Sequence, residues 1–136
     1  MPLELEIVTP EKKVFSGTVA NVYLPAEEGE MGVLPMHTAL VAALKPGELR
    51  YEIDGKVEAM AVGSGFVEVT QEKVTVLTDM AMHEIEIDEA KVEVAMQRAH
   101  ESLAAMRHDA DAEEIAHLQG VIAKSMAQLN LKRKKS

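Results

Sequence analysis

The sequence predicts an α+β protein: an N-terminal antiparallel β-sandwich, or flattened barrel, followed by a C-terminal antiparallel two-helix hairpin. Three observations carry this reading. Apolar residues alternate with period two as far as about residue 82, they recur at three- and four-residue steps from Asp88 onward, and turn-forming residues punctuate only the first region. The change of period divides the chain into residues 1–86 and 87–136.

Leu3, Leu5 and Ile7 alternate with Glu4 and Glu6, which predicts a strand with one face on a core. Val22, Tyr23 and Leu24 form a more fully apolar run. Leu49, Tyr51 and Ile53 alternate with Arg50 and Glu52, and Val74 and Val76 with Lys73 and Thr75. Thr9-Pro10, Ser16-Gly17, Glu28-Gly29, Lys45-Pro46-Gly47, Asp54-Gly55 and Gly63-Ser64-Gly65 mark the connections. Asp54-Gly55 is the sharpest of these, because both central residues of a type I′ turn need positive φ. Eight to ten short strands at this spacing predict a sandwich or barrel. In the second region Asp88 is the expected N-cap of a helix whose stripe is Val92, Ala95, Met96, Ala99, Leu103 and Met106. His108 to Asp111 break the pattern, and Asp111 to Glu114 form a capping-box-like start. A second stripe follows: Ile115, Leu118, Ile122, Met126 and Leu129. The short link makes the two helices antiparallel neighbours.

Composition limits what such a chain can do. With 136 residues there is room for one domain, or a small domain with an appendage. Apolar residues make up 47% but aromatics only 3%, so the core must be built from aliphatic side chains. No cysteine is present, which excludes disulfides and thiolate metal sites. The acids concentrate in residues 1–87, and an acidic body argues against nucleic-acid binding, which needs a basic face. Four of the basic residues cluster at Lys132, Arg133, Lys134 and Lys135. No run approaches the roughly 20 apolar residues that span a bilayer, and the opening residues lack the order of a secretory signal. A cytoplasmic address is expected. His37, His83, His100, His108 and His117 have no metal-like grouping, and no triad or phosphate loop assembles, so neither a metal nor a catalytic residue is assigned.

Several collinear stretches carry a resemblance. Val8-Thr9-Pro10-Glu11 is followed by Val14-Phe15-Ser16-Gly17, and the run from Gly29 to Leu40 reads GEMGVLPMHTAL. Leu44-Lys45-Pro46-Gly47, Gly63 to Val69, Val74 to Asp79, Ile87 to Lys91 and Ala123 to Leu129 complete the set. In order and spacing these resemble the epsilon subunits of bacterial-type F-type ATP synthases over nearly the whole chain. The resemblance implies a non-catalytic rotor-stalk subunit that grips the gamma subunit and rests on the c-ring, peripheral to the cytoplasmic face of a bacterial plasma membrane. It implies no required cofactor. The loop holding Glu27, Glu28, Glu30, Met31, Val33, Leu34 and His37 would face the c-ring.

The resemblance also implies regulation. Family hairpins lie folded on the sandwich or extend along gamma to the catalytic alpha and beta subunits, where they inhibit ATP hydrolysis. The cluster Lys132, Arg133, Lys134 and Lys135 would then contact an acidic segment of a beta subunit. Some members bind ATP through an Ile/Leu-Asp-x-x-Arg-Ala motif and arginines on the second helix. Here Ile87 and Asp88 match, but Lys91 and Val92 stand at the Arg and Ala positions, and Lys124 and Gln128 at two arginine positions. Lysine meets a phosphate as a point charge without the bidentate fork of arginine. ATP is therefore expected as a weak regulatory ligand at Ile87, Asp88, Lys91 and Lys124. A ligand at 100 times its dissociation constant supplies about 2.7 kcal/mol, short of the roughly 5.5 kcal/mol that inverts a 1:99 equilibrium.

Overall fold

The computed structural model describes residues 2–106 and 110–135, with Lys135 described in its backbone alone. The break expected at His108 and Asp109 lies outside the described residues. Ten strands come first: β1 (Leu3–Val8), β2 (Lys13–Val19), β3 (Asn21–Ala26), β4 (Gly29–Val33), β5 (Leu40–Leu44), β6 (Gly47–Ile53), β7 (Lys56–Val62), β8 (Gly65–Val69), β9 (Lys73–Thr78) and β10 (Ala81–His83). A single 3₁₀ turn at Glu84–Glu86 leads to α1 (Glu89–Ala104) and α2 (Ala112–Lys135).

The strands form one continuous hydrogen-bonded path, β10-β7-β6-β3-β5-β8-β9-β1-β2, with β4 paired to β3. The path folds over on itself to make the sandwich, so that Phe15 of β2 meets Tyr51 of β6 at a ring-centroid distance of 4.5 Å. Alternation does what the sequence predicts. Leu3, Leu5 and Ile7 point into the core beside Val74 and Val76, and meet Leu24, Leu49, Met60, Val62 and Val67 there. Each such side chain contributes about 1.5–3 kcal/mol on burial. All pairs are antiparallel except β1 with β9, which run parallel with Leu5 beside Val74.

Local chemistry sets the connections. Asp54 and Gly55 have φ of 51° and 78°, the type I′ geometry, and join Ile53 to Lys56 across the β6–β7 hairpin. At the start of β8 a side chain on Gly65 would sit 1.8 Å from the Leu77 carbonyl oxygen, so only glycine lets β8 and β9 pair there. Asp88 caps α1, its carboxylate accepting from the Lys91 N–H at 3.3 Å. Asp111 opens α2 in the same way, accepting from the Glu113 N–H at 2.9 Å.

Val92, Met96, Ala99, Leu103 and Met106, and Ile115, Leu118, Ile122 and Leu129, are buried or half-buried as the two stripes predict, but the buried face of the hairpin is wider than those stripes. Met126 is 51% exposed and Ala95 is exposed, while Ser125, Ala127, Leu129 and Leu131 are buried. At 100° per residue, Ser125 and Leu129 form one row and Ala127 and Leu131 another, on either side of Lys124, Gln128 and Lys132. Met126 and Asn130 lie opposite. The reason is that α2 packs on two neighbours at once, α1 and the β6–β7 sheet, so its buried arc is wider than one stripe. Where it meets the sandwich, Leu131 joins Ala61 and Ile87, with Met80, Met82 and Val92 half-buried around them.

Candidate functional site

Three surfaces stand out, and the first is the tip of the β3–β4 hairpin. Pairing of Ala26 with Gly29 leaves Glu27 and Glu28 as the exposed two-residue loop. Glu30 meets Arg50 of β6 at 2.9 Å, and that guanidinium lies 5.4 Å over the Tyr23 ring. Partial burial pulls the Arg50 pKa down, but Glu48 and Glu30 outweigh it and hold it above the ordinary value. Beside the tip an open groove of about 530 Å³ runs between Glu27, Glu28 and Met31 on one side and Val41 and Ala43 on the other. Leu34 is exposed, and the His37 Nδ1–H donates to the Thr38 carbonyl at 2.8 Å. Val33 is a correction to the loop as read from sequence. It is completely buried among core residues, because its place on β4 turns it inward, and it can face no partner. Met31 is half-buried against the same core.

The second surface was not read from the sequence. On the outer face of the sandwich Val41, Phe66 and Leu77 are 69%, 60% and 51% exposed. Phe66 lies opposite Ala43 on one side and Leu77 on the other, so the three strands carry a continuous apolar strip. The signal was present: Leu40 to Leu44 is apolar at every position, and Phe66-Val67 puts large apolar side chains on both faces of β8.

The third surface is the docked hairpin. Ile87 is buried against Ala61 and Leu131, so it holds α1 to the sandwich. The Asp88 carboxylate is occupied as the cap, and Lys91 is exposed beside it. Lys124 Nζ lies 3.5 Å from Asp79, whose carboxylate crosses so close over Gly63 that a side chain there would meet it at 1.9 Å. Arg133 pairs with Glu89 at 3.1 Å and with Glu93, and these two carboxylates, Glu89 foremost, hold its pKa above the ordinary value. This register places Lys124 about 13 Å along the hairpin axis from the first turn of α1. Ile87, Asp88 and Lys91 therefore stand together, with Lys124 apart from them. Lys132 and Lys134 reach Glu84 and Glu48 at 3.2 and 3.1 Å. The Lys135 side chain lies outside the described residues. Among the described residues no three His, Asp or Glu side chains gather as a metal set, and no helix is long and apolar enough to cross a membrane.

Fold and surfaces together define a class: a small β-sandwich carrying an exposed apolar strip, an acid-rimmed tip and a two-helix appendage laid on one sheet. The family model for the ATP synthase delta/epsilon chain β-sandwich domain matches residues 2–84. The ATP synthase epsilon chain of Vesicomyosocius okutanii is 39% identical over 129 residues, 95% of this chain and 91% of that one. That of Nitrosococcus oceani is 41% identical over 130 residues, again 95% and 91%. Among solved structures, a chain of the Euglena gracilis mitochondrial ATP synthase (OSCP/F1/c-ring, rotational state 1) superposes with a TM-score of 0.76 at 25% identity, covering 95% of this chain and 79% of that one. A chain of the Tetrahymena thermophila mitochondrial central stalk/c-ring shares the fold, with a TM-score of 0.62 at 10% identity over 97% of each. The chain belongs to the ATP synthase epsilon chain family.

Proposed function

We propose that this chain is a non-catalytic rotor subunit of the central stalk, turning with the c-ring and helping to transmit torque to the catalytic head during ATP synthesis. The observation that carries this reading is the exposed apolar strip of Val41, Phe66 and Leu77 running beside the acid-rimmed groove at the β3–β4 tip. Contiguous apolar surface marks a face that a partner covers. The strip fits the gamma subunit, and Glu27 and Glu28 fit the polar loops of the c-ring. The likeness to a chain solved within an OSCP/F1/c-ring assembly supports a place in such an assembly. On this reading the subunit is peripheral to the membrane, on the cytoplasmic face of a bacterial plasma membrane.

The hairpin is the regulatory part. Undocked, it would run along gamma to the catalytic alpha and beta subunits and inhibit ATP hydrolysis, with Lys132, Arg133, Lys134 and Lys135 meeting an acidic segment. ATP is a weak ligand of the docked state, held by Lys91 and Lys124. A nucleotide touching both would draw Lys124 away from Asp79. The test is ATP hydrolysis by the reconstituted catalytic head, comparing the intact chain with one ending at Glu86. Truncation is expected to raise hydrolysis while gamma binding persists. Equal rates across ATP concentrations would leave the hairpin without an inhibitory role.

A further inference from the structure

The hairpin is held to the sandwich by a row of polar contacts on one face of α2. Lys124, Gln128 and Lys132 stand at successive four-residue steps, one above another. In order they reach Asp79 at 3.5 Å, the Met82 sulfur at 2.9 Å, and Glu84 at 3.2 Å to its carboxylate and 3.3 Å to its carbonyl. These three partners follow one another along the segment by which the chain leaves the sandwich. Beyond them Lys134 reaches Glu48 on β6 at 3.1 Å, a carboxylate shared with Arg50 at 3.3 Å. The apolar part of the same contact is small, with Ala61, Ile87 and Leu131 buried and the methionines around them partly exposed.

We propose that Glu48 and Glu84 act as the receptor of an electrostatic latch, competing with the acidic partner surface for the ammonium groups of Lys132 and Lys134. The inference rests on the inhibitory reading of the hairpin and deepens it. An ammonium at 3.1 or 3.2 Å from a carboxylate of the body is unavailable to a carboxylate of the catalytic head. Docking and inhibition thus draw on the same two charges and exclude each other. Ion pairs that keep this much contact with solvent are individually weak and are screened by salt, which suits a contact that must open and re-form.

The chain has no cysteine, so fluorophores on Lys56→Cys and Asn130→Cys, both exposed positions, report the distance from α2 to the β6–β7 turn. In the free chain, the body-side variant Glu48→Gln/Glu84→Gln and the tail-side variant Lys132→Gln/Lys134→Gln should each raise the undocked population by roughly two- to thirtyfold. Raising salt to about 0.5 M should do the same to the parent chain and little to either variant. In the assembled synthase the two variants should diverge: the body-side variant deepens inhibition of hydrolysis and the tail-side variant relieves it. Unchanged distances in both variants and in salt, with sandwich melting unaltered, would overturn the latch. If the chain ending at Glu86 leaves hydrolysis unchanged while the body-side variant still undocks, the latch stands and the inhibitory reading falls.

Discussion

Phe66 is a side chain wrong for the isolated fold and, on the proposed reading, right for an assembly. Its neighbour Val67 is fully buried, whereas the Phe66 ring stands outward between Ala43 and Leu77. Replacing it with Ser leaves β8 paired and removes the centre of the strip. Burial of such a ring is worth about 1.5–3 kcal/mol, so Phe66→Ser is expected to weaken gamma binding about ten- to a hundredfold, measured by titration calorimetry, with the melting temperature of the free chain unchanged. Glu6 gives a residue-level prediction of another kind. Its carboxylate is held below the ordinary range chiefly by a hydrogen bond from Lys13 at 3.2 Å, against some desolvation and with further help from Lys73. A carboxylate that titrates lower in the folded than in the unfolded chain stabilises above the unfolded pKa. That contribution is lost as pH falls through the folded pKa. Thermal melts through the acid range should therefore show a smaller loss of stability for Glu6→Gln than for the parent.

At the scale of elements, α2 is where sequence and structure diverge most. Its existence was legible from the four-residue steps, and the caps at Asp88 and Asp111 from residue type alone. Its stripe was legible at Ile115, Leu118, Ile122 and Leu129, but not at Met126 or in the second buried row, because a stripe assumes one neighbour and α2 has two. Ser125 is buried, and Met126, the better hydrophobe, faces away. Val33 failed for a related reason: motif order placed it in an exposed loop, while its position on β4, opposite Val22, turned it into the core. Gly120 sits within α2 and a side chain there would meet nothing within 4 Å. Gly120→Ala should therefore stabilise the helix by about 1 kcal/mol through propensity alone, seen as higher helicity and slower amide exchange in α2. No gain would mean that the α2 backbone at this position departs from ordinary helix.

For the whole molecule, the sandwich-plus-hairpin plan was legible because the apolar period switches from two to near 3.6 at a single place. Turn residues fixed the β6–β7 hairpin in detail. Pairing between strands distant in sequence was not legible. Nothing in Leu3–Val8 or Lys73–Thr78 says that these two lie side by side and parallel, since each reads only as a strand with one buried face. The interaction surfaces were legible in part. Glu28-Gly29 marked the turn and the resemblance singled out its acids, whereas the strip of Val41, Phe66 and Leu77 exists only once β5, β8 and β9 are adjacent.

The parallel pairing of β1 with β9 has a consequence for the birth of the protein. Within the sandwich β1 is synthesised before its neighbours, of which one, β2, follows at once and the other, β9, almost last of the sandwich strands. Chains emerge at about 5–20 residues per second, so β1 waits several seconds with one edge open, and the sandwich closes only after residue 78 has cleared the tunnel. The helices follow, and the platform on which they dock is complete before they appear. The hairpin therefore acquires its place after the sandwich and, held to it by a smaller buried cluster than the sandwich's own, gives it up more readily.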